Sequence, residues 1–260
     1  MNHDDLRHAA HLLWRIRLEE RRIESLPPEL RPSTLDDGYA IQDAMVGISG
    51  RAVFGWKIAA TSAAGQKHIG VTEPLSGRLF ADFVLPDGAR RPAKNMHMRV
   101  AEAEFAFRMA RTLPHRAGDY TVDEVCDAVA AMHLAIEVPD ARFQVFDTIG
   151  APSIAADDAF ADWFVLGRQV QDWREIDLPE HPVRGIRNGK TIAEGKGANA
   201  LGDPRIALTW IANHLARRNT PLEAGHVITT GTCVKPMEVG AGDTIVADFG
   251  SLGTVTVGFE

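Results

Sequence analysis

Arg99-Val100-Ala101-Glu102-Ala103-Glu104-Phe105-Ala106-Phe107 is the stretch on which the reading of this chain turns. Read as a strand, its side chains alternate, so Glu102 and Glu104 share one face. Two converging carboxylates repel each other unless a cation or protons neutralise them. Arg108 has the same parity, so the pattern also fits the solvent side of an amphipathic strand. A third acid, Glu137, interrupts the apolar run Leu134-Ala135-Ile136-Glu137-Val138-Pro139. Two readings of it stay open. It is an edge residue paired with an arginine such as Arg142, or it joins Glu102 and Glu104 in an oxygen-rich site for a hard divalent ion such as Mg²⁺.

Outward from that stretch, the chain divides by texture. Residues 4–24 predict an amphipathic helix, with Asp4 as a cap and Leu6, Ala10, Leu13 and Ile16 near helical spacing. Prolines 27, 28 and 32 break the chain, and a second helix is expected from Ser33 or Thr34, with Asp36 or Asp37 in its first turn. From Arg51 the runs shorten: Val53 to Ala59, Val100 to Met109 and Ala135 to Val138 read as strands. Thr121-x-x-Glu124 is a capping box that opens a helix expected to reach about Met132. Asn188-Gly189 signals a hairpin turn, and Asp203-Pro204 caps and begins another helix. Val227 to Thr230, Thr244 to Phe249 and Thr254 to Phe259 read as antiparallel strands. The expectation is one α+β domain over 1–260, with a helical N-terminal layer (1–50) on a β-rich body (51–260).

Composition narrows the function classes. A net charge of −7 argues against nucleic-acid binding through a basic surface. Two cysteines, Cys126 and Cys233, argue against a disulfide framework and give no zinc spacing. The N-terminus is not the start of a signal peptide, and no apolar run reaches the roughly 20 residues of a membrane span, so a cytoplasmic location is expected. Among single residues, Lys57 stands between Trp56 and Ile58, where burial lowers a lysine pKa toward a catalytic range, although a snorkelling lysine fits as well. Asp82 is an acid among apolar groups, or a turn aspartate. Gly185 to Thr191 has one residue too few between its glycines for a phosphate-binding loop.

Together these segments resemble the 2-keto-4-pentenoate hydratase family, a branch of the fumarylacetoacetate hydrolase superfamily. The resemblance rests on Tyr39-Ala40-Ile41-Gln42, Gly55 through Ser62, Val100 through Phe107, Ala135 through Asp140, and Leu222 through Thr232. It implies a β-rich mixed roll and a homo-oligomer, with a complex with a related decarboxylase or hydratase as a further partner state. It implies Mg²⁺ or Mn²⁺ held by Glu102, Glu104 and Glu137, Lys57 and Asp82 in catalysis, and Thr61, Ser62 and Thr232 at the substrate. The chain departs from the family pattern at Ala59-Ala60, Asp158 and Thr232. The implied reaction is hydration of a 2-hydroxy-2,4-dienoate to a 4-hydroxy-2-oxo acid. The alternatives are decarboxylation of a 4-oxalocrotonate-type diacid at the same site, hydrolytic C–C cleavage, and a non-catalytic partner subunit. A diacid substrate would need a further cation, for which Arg78, Arg142, Lys67 and Lys196 are available.

Overall fold

The computed structural model describes all 260 residues. Its centre is a long antiparallel pair, β5 (Val100–Met109) and β6 (Val129–Val138), in which Glu102 lies opposite Glu137. The odd-numbered residues of β5, including Phe105 and Phe107, and the even-numbered residues of β6, including Leu134 and Ile136, enter the main core. That parity sends Glu102, Glu104 and Glu137 to the opposite face together.

The remaining strands are β1 (Val53–Ala59), β2 (Leu75–Phe80), β3 (Val84–Pro86), β4 (Arg90–Arg91), β7 (Trp163–Val170), β8 (Pro182–Arg187), β9 (Lys190–Lys196), β10 (Val227–Thr229), β11 (Met237–Glu238), β12 (Thr244–Asp248) and β13 (Thr254–Phe259). One sheet runs β2-β1-β10-β5-β6-β7-β3, with β11 also on β5. The second runs β4-β13-β12-β8-β9. Inward residues of β12 and β13, among them Ile245, Val257 and Phe259, share the main core with β5 and β6. Helix α6 (Pro204–Arg217) contributes Leu208, Ile211 and Leu215 to the same core.

Helices α1 (His3–Leu18) and α2 (Leu35–Ser49) form a second core with α5 (Ala151–Ala156) and strand β2, filled by Leu13, Trp14, Ile41 and Phe80. The short helices α3 (Ala63–Ile69) and α4 (Val122–Asp127) complete the set. Thr34 and Asp37 form a reciprocal capping box at the start of α2. No helix is long and apolar enough to cross a membrane.

Three expectations need correction. The first helix stops at Leu18 rather than 24, because Ile23 is drawn into a parallel bridge with Phe143. Helix α4 stops at Asp127 rather than near Met132, because residues from Val129 onward pair with β5 and β7. Residues 227–229 do not join the C-terminal hairpin. They sit between β1 and β5, parallel to β1, and only β12 and β13 form the antiparallel tail pair. In each case tertiary pairing overrides a local pattern.

Helix α1 is tied to the body by a buried charge network. Arg17 reaches Asp158 at 3.2 Å and Asp162 at 3.5 Å, and Arg142 pairs with Asp157. Burial pushes all three aspartate pKa values up, against the pull of these arginines. An Arg17→Met variant leaves Asp158 without its guanidinium partner. Its stability in urea is expected to fall by about 3–5 kcal/mol, and an unchanged midpoint would show that the network does not hold α1.

Candidate active site

The three glutamates converge. One oxygen from each of Glu102, Glu104 and Glu137 lies within 4.8 Å of the others. Glu104 and Glu137 are fully buried, and Glu102 lies in the wall of a cavity of about 280 Å³. Glu104 is fixed by the Thr229 hydroxyl and by the Gly231 N–H at 2.7 Å, both donating to Oε2. Its Oε1 accepts no hydrogen bond, nor does Oε2 of Glu137.

These donors come from an interruption in the strand beside β5. β10 pairs with Phe107 and its neighbours, β11 pairs with Ala101, and residues 230–236 bow out between them. At the start of the bow Gly231 has φ +96°, and a Cβ there would lie 2.1 Å from the Thr61 hydroxyl oxygen. Only glycine brings this N–H to Glu104.

Lys57 is the one cation at the cluster. β1 delivers it beside β10, with Nζ 3.0 Å from Glu137 Oε1 and donating to the Ala159 carbonyl at 3.0 Å. The expected lowering of its pKa is corrected here. Burial does pull it down, but the carboxylates of Glu137, Glu102 and Glu104 more than offset this and hold the ammonium above its ordinary value. The acids shift in the other direction. Burial first, then the charge of Glu137, raise Glu102 to about 7 against the pull of Lys57. The same two causes, joined by the charge of Glu102, push Glu104 well above the usual carboxylate range. Glu137 is raised by burial and restrained by Lys57.

The Ala159 carbonyl reaches Lys57 from an unusual turn. Asp158, Ala159 and Phe160 are consecutive non-glycine residues with φ of 57°, 49° and 61°. Left-handed backbone costs roughly 1–2 kcal/mol per residue, so its neighbours must hold it. Arg17 and the Arg78 N–H bind the Asp158 carboxylate, the latter at 2.7 Å. The Asp158 carbonyl rests against Gly77, where a Cβ would come within 2.1 Å of its oxygen and 3.2 Å of Lys57 Cγ.

Of the expected substrate residues, Thr61, Ser62 and Thr232 all line the cavity. Ser62 Oγ also accepts from the Gly65 N–H as the cap of α3, and the Thr232 hydroxyl donates to the Val234 carbonyl at 2.7 Å. Asp82 is not brought to the site. It lies in the exposed turn 81–83, is paired with Arg51, and is absent from the cavity wall. Arg142 pairs with Asp157 rather than with Glu137. Thr229, Asn199, Met98 and the 158–160 turn were not singled out in the sequence as site residues. They are supplied by non-local packing, and only the departure at Asp158 marked that turn.

No histidine lines the cavity. His97 instead contacts the Gln144 carbonyl and the Phe146 ring. Two buried glutamates with orphaned oxygens, the half-buried Glu102, one lysine and an otherwise neutral cavity make up the site. The fumarylacetoacetate hydrolase C-terminal family model matches residues 64–259. The chain belongs to this family. Within the fumarylacetoacetate hydrolase family it is 36% identical to a 2-keto-4-pentenoate hydratase of Burkholderia vietnamiensis, over 85% of this chain and 84% of that one. It is 30% identical to a 2-oxo-hept-4-ene-1,7-dioate hydratase of Escherichia coli, over 93% and 92%. The structure superposes on 4-oxalocrotonate decarboxylase of Pseudomonas putida G7, complexed with magnesium and adipate. The TM-score is 0.92 at 28% identity, covering 100% of this chain and 99% of that one.

Two outcomes test this geometry. Gly77→Ala is expected to displace the 158–160 turn and destabilise the fold by about 1–3 kcal/mol. Unchanged thermal unfolding would place the turn elsewhere. For Glu102, the folded state binds its proton more tightly than the unfolded chain. Its contribution to stability therefore falls as pH rises from about 4.5 to about 7 in EDTA-treated protein. Urea midpoints of wild type and Glu102→Gln should diverge over that window in favour of the variant, and parallel curves would contradict the buried cluster.

Proposed function

We propose that this chain is a divalent-cation-dependent hydratase that adds water to a 2-hydroxy-2,4-dienoate, giving a 4-hydroxy-2-oxo acid in aromatic catabolism. The observation that carries the reading is the triad Glu102, Glu104 and Glu137 under a cavity whose only charged lining residues are Glu102 and Lys57. The oxygen-only donor set and the unsatisfied oxygens of Glu104 and Glu137 suit Mg²⁺ or Mn²⁺. The three glutamates would hold the ion, with Thr229 and Gly231 fixing the orientation of Glu104. When bound, such an ion supplies Lewis-acid stabilisation of negative charge at the carboxylate and C2 oxygen end of the substrate.

The protein's own groups handle protons and position. Lys57, held as an ammonium, would donate a proton to C5 while the 2-hydroxyl proton passes to solvent, giving a conjugated 2-oxo-3-enoate. Water then forms its bond to C4 and gives its proton to the Lys57 amine, and C3 takes a proton from solvent, which restores the ammonium. Thr61, Ser62 and Thr232, which line the cavity, would flank the substrate chain. Asp82 has no place in this scheme. The relatives named hydratases support this reading, and the same proposal includes a cytoplasmic homo-oligomer.

The likeness to 4-oxalocrotonate decarboxylase favours a second reading, in which the same site releases CO₂ from a 2-oxo diacid. The absence of histidine from the cavity wall weighs against hydrolytic C–C cleavage through a His-Glu base, and the intact triad and lysine weigh against a non-catalytic subunit.

The test is the ultraviolet absorbance of 2-hydroxypenta-2,4-dienoate with Mg²⁺ or with EDTA, together with CO₂ detection on 4-oxalocrotonate. Metal-dependent loss of the dienoate, with 4-hydroxy-2-oxopentanoate formed, is expected. CO₂ release without dienoate turnover would transfer the assignment to the decarboxylase. Lys57→Met is expected to lower kcat by about 10²–10⁴-fold while keeping the Mg²⁺-dependent rise in Tm. Near-full activity would remove Lys57 from the proton transfers.

A further inference from the structure

The inner cavity opens into a second hollow of about 630 Å³. Thr61, Ser62, Asn199, Thr232 and Pro236 line both, so the two share one rim. In the hydratase reading, the carboxylate end of the substrate would lie beside the glutamate cluster and Lys57, and its far end would extend toward this rim. The outer hollow is lined by apolar and neutral polar residues with one exception, Lys235. Lys235 is exposed and makes no ion pair or hydrogen bond within the chain.

The other cations considered for a distal anion are engaged or elsewhere. Arg78 binds Asp43 and Gln42 and stacks over Trp56. Arg142 is buried against Asp157, and Lys196 pairs with Glu180 at 2.8 Å. Lys67 lines neither hollow.

The backbone that carries Lys235 is fixed on both sides. The Cys233 N–H donates to the Ala103 carbonyl at 2.8 Å, and the Cys233 carbonyl accepts from the Asn199 amide at 2.8 Å. Immediately after Pro236, Met237 pairs with Ala101. Lys235 is thus presented from a braced turn at the mouth of the cavity.

From this we infer that Lys235 is a specificity residue that receives a second carboxylate at the far end of the substrate. The preferred substrates are then 2-hydroxy-2,4-dienoates bearing an acidic substituent at C5. A distal carboxylate placed in the inner cavity would meet no positive group but Lys57, which already faces three glutamates. At the outer hollow it keeps contact with water and gains a charge-assisted partner. A monoacid makes no use of this lysine.

The inference rests on the hydratase reading for its substrates, and the experiment separates the two. The kcat/KM of the Mg²⁺-loaded protein is compared on 2-hydroxypenta-2,4-dienoate and 2-hydroxyhepta-2,4-diene-1,7-dioate, for wild type, Lys235→Gln and Lys235→Arg. In parallel, binding of the unreactive acids adipate and valerate is measured by calorimetry. Wild type is expected to favour the diacid. In Lys235→Gln the diacid-to-monoacid ratio should fall about three- to tenfold, mostly through KM, and Lys235→Arg should restore most of it. Adipate binding should weaken by a similar factor relative to valerate. A ratio and an adipate affinity that ignore Lys235, or a wild type that binds no adipate and turns over no diacid, would overturn the inference. Lys235-dependent adipate binding without turnover of either dienoate would retire the hydratase reading and leave the assignment of Lys235 standing.

Discussion

Three carboxylates and a single ammonium share a buried space between β1, β5 and β6. Hydrophobic packing sets this up, because filling the core with the odd face of β5 and the even face of β6 forces the glutamates onto the other side together. The outcome is an excess of negative charge in a place with little water. Such a cluster persists only with protons or with a cation. The raised carboxylate pKa values of Glu102 and Glu104 and the firmly protonated Lys57 are two expressions of that one imbalance.

The surroundings hold this charge arrangement in place. Lys57 is gripped from one side by Glu137 and from the other by the carbonyl of a left-handed turn. That turn depends on Asp158, which depends on Arg17 of the first helix and on the backbone of β2. The N-terminal helical layer therefore does more than cover apolar surface. Through Arg17 it reaches to within one residue of the carbonyl that orients Lys57.

How far the sequence revealed this depended on the range of each interaction. Glu102 and Glu104 were legible because a two-residue period is a local property, and Glu137 because an acid inside an apolar run is costly. Their opposition across two strands was not legible, since the register is set by pairing between segments some way apart in the chain. Helix α4 was overextended for the same reason: Val129 to Met132 belong to the sheet only because β5 is there to receive them. Asp82 misleads because Phe80 before it is buried and Phe83 after it is half-buried, while a 3₁₀ turn carries the aspartate out to Arg51. Lys57 is legible as a lysine between two apolar residues, but neither its burial nor the direction of its shift is, since both depend on the side chains, carboxylates among them, that the fold brings around it. Lys235 gave no sequence signal, because a lysine before a proline in a loop is unremarkable until the hollow beside it is known.

The interrupted strand beside β5 divides anchoring from lining. Its two ends, β10 and β11, are stitched into the ladder, and Gly231 and Cys233 are tied to β5 through Glu104 and Ala103. The side chains at 234 to 236 border the outer hollow and take no part in holding the glutamates. Val234 is held in the main core and Pro236 also borders the inner cavity, so Lys235 is the one side chain of the three that is free of both.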